Sequence, residues 1–510
     1  MTVAKSIARN TASNLAGQVV QLVTMVILTP FIIHELGINT YGIWVMLTAI
    51  TNYYGVLDMG FSCAYVKYIA EYKEKKDENV IRDIIATGFY TSLSIALAVF
   101  LLGSVFRNEL LSQFARGYNH IEYVKASYSL ALILFCFVYL GQFFQSILDG
   151  YQRMELKNIS AIIQRLSNFF LVLLLLHYGM GLYGLVLSGL LSWAVFLIVS
   201  FCLAKSLFRQ LSLSVRHISM QKFLVMMSFG WKVQITVVSA WFLENLEKLL
   251  LGYFTGMATV SIYDIAVKIR TVSRMPVMAY INTLIPAASE LSVRPDPKGI
   301  REFYLKCNKW LMLILFPVCG FVFANSNLIV HAWVGPGFET AALVLQILML
   351  GNILNLATGC GTSIARGINK AGMESKYQVI AVVLLFLLGY YCSKHYGLIG
   401  LSIASAVALG IPSLWFISVF NRYLGVSNSA GFQNTVKTPL FTVLVLTFLD
   451  CLIGYFVTFS LHDRPSLILI ILLKFTITSG LYCLIMDMTK YIDIRQIVKR
   501  SLRLSILRTS

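Results

Sequence analysis

Apolar runs of roughly 20 residues recur from one end of this sequence to the other, each long enough to cross about 30 Å of hydrocarbon as a helix. Short segments of strict alternation, which a membrane barrel requires, are not visible. Spans can be drawn at 13–33, 41–63, 84–106, 124–148, 159–178, 182–204, 224–251, 257–287, 310–331, 340–364, 377–393, 398–420, 438–460 and 466–487. Only 13% of the residues are charged and 58% are hydrophobic, too apolar a balance to cover a water-facing surface. The expected fold class is an all-α polytopic membrane protein of about fourteen transmembrane helices.

Lys5 and Arg9 ahead of the first apolar stretch resemble the start of a signal peptide. That stretch runs on to about Ile33, contains Asn14, Gln18 and Gln21, and lacks a small-residue cleavage pattern, so it reads as a retained helix. The nine cysteines are scattered, mostly within apolar runs, without disulfide or metal-ligand spacing.

A net charge of +18 would suit a nucleic-acid binder if it lay on one face. Alternating the spans from a cytoplasmic N-terminus instead sorts it by side of the membrane. Inner segments receive 29 of the 41 Lys and Arg, outer segments or their edges five, and the spans seven. This positive-inside bias puts both termini in the cytoplasm and excludes a nucleic-acid partner. The basic balance reports topology and contact with anionic lipid.

An internal repeat is faint but ordered. Leaving the fourth span the chain reads Ser146-Ile147-Leu148-Asp149-Gly150-Tyr151-Gln152-Arg153; leaving the tenth it reads Ser363-Ile364-Ala365-Arg366-Gly367-Ile368-Asn369-Lys370, an offset of 217. His177-Tyr178-Gly179 between the fifth and sixth spans matches His395-Tyr396-Gly397 between the eleventh and twelfth, at an offset of 218. Six spans is an even number, so the copies share one orientation. The expectation is two six-helix lobes related by a pseudo-two-fold along the membrane normal, with a substrate path between them. The expected organisation is a first lobe over 1–204, a cytoplasmic linker over 205–223, a second lobe over 224–420, an appended helix pair over 421–487 and a basic cytoplasmic tail over 488–510.

Several stretches resemble a known family. Leu36-Gly37, Tyr41-Gly42-Ile43-Trp44 and Leu57-Asp58-Met59-Gly60 are similar to the opening of bacterial O-antigen and polysaccharide repeat-unit flippases of the multidrug/oligosaccharidyl-lipid/polysaccharide exporter superfamily. Leu250-Leu251-Gly252-Tyr253, Tyr263-Asp264-Ile265-Ala266 and Trp333-Val334-Gly335-Pro336-Gly337-Phe338 extend the likeness over essentially the whole chain. The resemblance implies a fold similar to the superfamily's multidrug exporters, alternating access, and location in the bacterial inner membrane. It also implies an undecaprenyl-diphosphate-linked oligosaccharide as cargo and the polysaccharide polymerase machinery as partner. A cation-coupled multidrug exporter of the same fold and a membrane glycosyltransferase or polymerase are the alternatives.

Ionisable residues inside spans cost about 2.5–3.5 kcal/mol each on insertion scales, so each needs a partner or a wet cavity. The basic set is Arg165, Lys232, Lys248, Lys268, Arg270, Arg274 and Lys474; the acidic set is Asp58, Glu244, Glu247, Asp264 and Asp450. Asp264 and Lys268 stand at i, i+4 and can pair, while Arg270 and Arg274 stand on another face with no carboxylate at helical spacing after them. Pro276 and Pro286 interrupt the same span and suit a bent, cavity-lining helix. The two arginines either offer planar donors to a diphosphate or bond carbonyls and snorkel.

Glu244 and Lys248 form another i, i+4 couple, leaving Glu247 as either a proton carrier or a structural group. Asp58 is either a cap or a gate. Asn14, Gln18 and Gln21 form a polar stripe that must meet another helix or the cavity. Arg165, flanked by Gln164 and Asn168, is either the first lobe's cationic contribution or an interfacial group, and Lys232 joins the candidate cavity set. No GxxxxGK[ST] motor or HExxH motif is present. No cofactor is expected; coupling would be to protons, sodium or the membrane potential.

Overall fold

In a computed structural model the chain is described over residues 3–51, 57–114, 121–284, 288, 297–368, 370, 372–457 and 464–491. Every helix and turn found there is consistent with a lipid solvent, in which backbone groups must be satisfied inside the segment. Among the described residues there is no strand.

The helices divide between two units, 1–261 and 262–510. The first holds α1 (Val3–Thr51), α2 (Phe61–Glu74), α3 (Glu78–Val105), α4 (Arg107–Phe114), α5 (Ile121–Gly150), α6 (Met154–His177), α7 (Gly181–Leu207), α8 (Met220–Phe254) and the start of α9 (Met257–Asn282). The second holds the rest of α9, then α10 (Pro297–Ala324), α11 (Ser326–Val334), α12 (Glu339–Ala357), α13 (Gly359–Gly367) and α14 (Gly372–Tyr423). It closes with α15 (Asn428–Gly431), α16 (Lys437–Val457) and α17 (Arg464–Met488).

Ten helical stretches among the described residues are long and apolar enough to cross a membrane. Two of these carry a pair of predicted spans each. α1 and α14 run for 49 and 52 residues, roughly 75 Å if straight, far more than a bilayer needs. Each breaks at a glycine in the left-handed region, Gly37 (φ 75°) in α1 and Gly397 (φ 58°) in α14. α9 is not among the ten, because Asp264, Lys268, Arg270 and Arg274 crowd its middle with charge. Among the described residues ten such stretches, two of them double, thus stand beside the fourteen spans expected.

The repeat motifs acquire a physical meaning. Gly179 (φ 72°) and Gly397 (φ 58°), the glycines of the two His-Tyr-Gly copies, both adopt a backbone that penalises a side chain. The first pair of motifs holds a further correspondence that identity matching misses. Lys157 pairs with Asp149 at 2.6 Å, and Arg366 pairs with Glu374 through both carboxylate oxygens. The offset of 217 carries Asp149 onto Arg366 and Lys157 onto Glu374. The same bond across the same hairpin is thus made in both copies with its charges exchanged.

In the first unit α2, α3 and α5 meet through buried Phe61, Tyr65, Ile84, Phe143 and Ile147. Tyr65 stands edge-on to Phe143 at 5.3 Å, and Gly88 admits both rings, since a Cβ there would lie 2.8 Å from each. Lipid tails remove most of the hydrophobic drive between helices, so such close approach supplies the attraction.

In the second unit α16 is drawn onto α10 by both packing and charge. Gly320 of α10 leaves room for Val443, whose Cγ1 would lie 2.3 Å from an added Cβ. Lys474 of α17 pairs with Asp450 of α16 at 2.7 Å and donates to Asn325 Oδ1 at 2.7 Å, while the Asn325 amide donates to the second Asp450 oxygen. Asp450 is only 5% exposed. Lys474→Met is expected to cost about 3–5 kcal/mol by leaving a buried carboxylate uncompensated, whereas Asp450→Leu with Lys474→Met recovers most of it. Thermal unfolding in detergent checks this; equal losses in the single and double variants would refute it.

Candidate functional site

α9 brings the charged residues together for local reasons. Asp264 and Lys268 lie one turn apart and form the expected ion pair at 3.2 Å, with Asp264 only 3% exposed. Further along, Ser273 bonds back to the Arg270 carbonyl at 2.7 Å, and Pro276 removes the N–H that would have reached the carbonyl of Val272. This stretch of α9 is therefore held less tightly by its own backbone than an ordinary helix. Pro286, also expected to interrupt the span, lies outside the described residues.

The two arginines do not behave as a pair. Arg274 donates from Nη1 to Asn352 Oδ1 at 2.6 Å and from Nη2 to Asn355 Oδ1 at 3.0 Å, both on α12. Asn352 is completely buried. Arg270, one turn earlier, has a buried Nη1 with no hydrogen-bond partner among the described residues. One guanidinium is thus committed to packing and the other keeps a donor in reserve. Asn352 and Asn355 are the residues that sequence reasoning missed. Two amides at i, i+3 within an apolar run were the available signal.

In the first unit Arg165 donates from Nη1 to the Gly17 carbonyl on α1 at 2.6 Å, which ties α6 to α1. Gln18 and Gln21 are exposed. The side chains of Asn14, Lys232 and Glu244 lie outside the described residues. Glu247 is 2% exposed.

Asp58 caps α2: its carboxylate accepts from the Ser62 amide and the Ser62 hydroxyl, each at 2.9 Å. Gly60 (φ 73°) follows, and a Cβ there would lie 2.1 Å from the Gly230 carbonyl oxygen on α8. A second close contact involves the motif glycine Gly42, where a Cβ would lie 2.0 Å from the Met257 carbonyl oxygen. Beside it Ser261 donates to the Ile38 carbonyl at 2.5 Å. Both contacts are backbone against backbone, which can part without leaving a side-chain cavity. Among the described residues no cluster of His, Cys, Asp and Glu could hold a metal ion.

Comparison with known proteins agrees with this arrangement. Residues 3–292 match a family described as polysaccharide biosynthesis protein. A putative O-antigen transporter of Shigella flexneri is 21% identical over 429 residues, covering 82% of this chain and 99% of that protein. A probable low-salt glycan biosynthesis flippase of Haloferax volcanii is 22% identical, covering 78% of this chain and 79% of its own length. Among solved structures, the lipid II flippase MurJ in an inward closed conformation superposes with a TM-score of 0.73 at 14% identity, covering 95% of this chain and 99% of the other. An inward-facing multidrug resistance transporter of the MATE family superposes with a TM-score of 0.67 at 14% identity, covering 79% and 94%. These likenesses establish the transporter fold.

Proposed function

Because the chain belongs to the polysaccharide biosynthesis protein family, we propose that it is a flippase for a lipid-linked oligosaccharide. The cargo in this reading is undecaprenyl diphosphate bearing an O-antigen or related repeat unit. It moves from the cytoplasmic to the outer face of the bacterial inner membrane by alternating access, with both termini of the protein in the cytoplasm. The protein is a transporter, not an enzyme.

The observation that carries this reading is the unpartnered Nη1 of Arg270 on a proline-interrupted intramembrane helix. A buried donor without an acceptor is costly and is retained where a ligand supplies the acceptor. A diphosphate carries about two negative charges and cannot cross hydrocarbon uncompensated. A guanidinium matches its oxygens in both charge and geometry. The excess of basic over acidic residues within the spans favours an anionic cargo over a cationic drug.

Lys268 is the second cation in this scheme. It shares its charge with Asp264 at 3.2 Å, so a proton taken by Asp264 releases Lys268 toward the phosphate. Glu247 is a second candidate for coupling to protons, sodium or the membrane potential, with Glu244 and Asp58 as gating groups. Lys232, Arg165, Asn14, Gln18 and Gln21 complete the cargo-facing set, and the polysaccharide polymerase machinery would consume the product outside. Tight binding alone does not move the cargo: the two orientations of the site must differ in affinity for it.

Deleting the gene tests the reading directly. A lipid-linked glycan is expected to accumulate on the cytoplasmic face, detected by its resistance to externally added glycosidase in intact spheroplasts. Normal surface polysaccharide with no accumulated intermediate would overturn the proposal.

A further inference from the structure

The first unit contains an uncharged cavity of mixed apolar and polar lining that the diphosphate scheme leaves unused. It has a volume of about 160 Å³ and lies among α1, α5, α6 and α7. Trp44 and Trp193 line it, with Gln164, Asn168, Thr48 and Ser188 as the polar groups. No ionisable side chain lines the cavity. A cavity of that size takes about five water molecules or one six-membered ring.

Its two side-chain amides are loosely satisfied. Ser188 and Ser192 donate to the Leu185 and Gly189 carbonyls at 2.7 and 2.9 Å, which leaves Asn168 Oδ1 only long contacts of 3.5 Å to the two hydroxyls, and Gln164 Nε2 reaches Ser192 Oγ at 3.3 Å. Bonds this long lie at the edge of the useful range and are readily exchanged for better ones. Inside a bilayer such groups gain from any ligand that completes their bonding. Trp193 is braced edge-on by Phe196 at 4.7 Å, which fixes the plane of the indole.

We propose that this cavity is a carbohydrate subsite that receives one pyranose ring of the cargo's glycan. The lack of charge excludes the diphosphate and disfavours a bare cation. Two indoles offer flat faces to the C–H bonds of a sugar ring, while amides and hydroxyls meet its hydroxyl groups as both donors and acceptors. The site deepens the flippase reading and rests on it. Arg270 recognises what every such lipid shares, and the Trp-lined cavity recognises what differs among them.

The test uses the full chain in nanodiscs, with undecaprenyl diphosphate either bare or capped with glucose, galactose or N-acetylglucosamine. The wild type is expected to bind at least one capped form about tenfold more tightly than the bare lipid. Trp193→Ala and the double variant Gln164→Leu, Asn168→Leu are expected to lose that preference while binding the bare lipid unchanged. Trp193→Phe, which keeps a ring at the site, retains part of it. A preference that is absent in the wild type or undiminished in the variants overturns the subsite while leaving the flippase reading intact. Parallel loss of both affinities shows a structural role and also overturns it. Wild-type protein that binds neither lipid overturns the flippase reading and the subsite with it.

Discussion

Replacing Arg270 with alanine is expected to lower export of surface polysaccharide about 10- to 100-fold without reducing the amount of folded protein in the membrane. The magnitude follows from losing one charge-assisted contact to phosphate, roughly 1.5–3 kcal/mol, at 1.4 kcal/mol per factor of ten. Protein levels should hold because the Arg270 Nη1 bonds to nothing among the described residues, so truncating it orphans no acceptor of that nitrogen. Arg270→Lys should recover only part of the export, because an ammonium restores the charge but not the planar fork. Quantifying surface polysaccharide against the monodisperse fraction of detergent-solubilised protein separates the two effects. Normal export in the alanine variant would move the phosphate site away from α9, and a matching fall in folded protein would make Arg270 structural.

What could be read from the sequence is what lipid and the helix dictate locally. A hydrocarbon solvent forces long apolar helices, so most of the spans were legible from length and hydropathy alone. Asp264 and Lys268 were legible as a pair because both lie on one helix, four residues apart. The two His-Tyr-Gly copies were visible because a left-handed turn keeps its glycine in both. The exchanged pairs Asp149–Lys157 and Arg366–Glu374 were not visible, since a repeat search rewards identity and these positions preserve a bond while reversing its signs. Tertiary partners were illegible for a different reason. Arg165 bonds a backbone carbonyl at Gly17, an acceptor that every residue possesses. Arg274 looked equivalent to Arg270 because nothing along α9 indicates that α12 places Asn352 and Asn355 opposite one of them.

That inequality supplies the converse prediction. Arg274→Ala is expected to fail by loss of folded protein, not by loss of cargo recognition. The substitution leaves the Oδ1 atoms of Asn352 and Asn355 without the donors they now have at 2.6 and 3.0 Å, and Asn352 has no access to water. The orphaned acceptor of buried Asn352 costs about 1–3 kcal/mol, and with the lost bond to half-buried Asn355 this is a sizeable share of the roughly 5–15 kcal/mol that holds a typical protein folded. The defect should be repairable without restoring the charge, because apolar groups of similar shape at both ends of a lost hydrogen bond can be nearly neutral. A triple variant, Arg274→Leu with Asn352→Leu and Asn355→Leu, is therefore expected to regain much of the lost protein level and melting temperature. The three sites touch one another, so their effects should be strongly non-additive. An Arg274→Ala protein that accumulates and melts normally yet does not export would contradict this, and would return Arg274 to the cargo site beside Arg270.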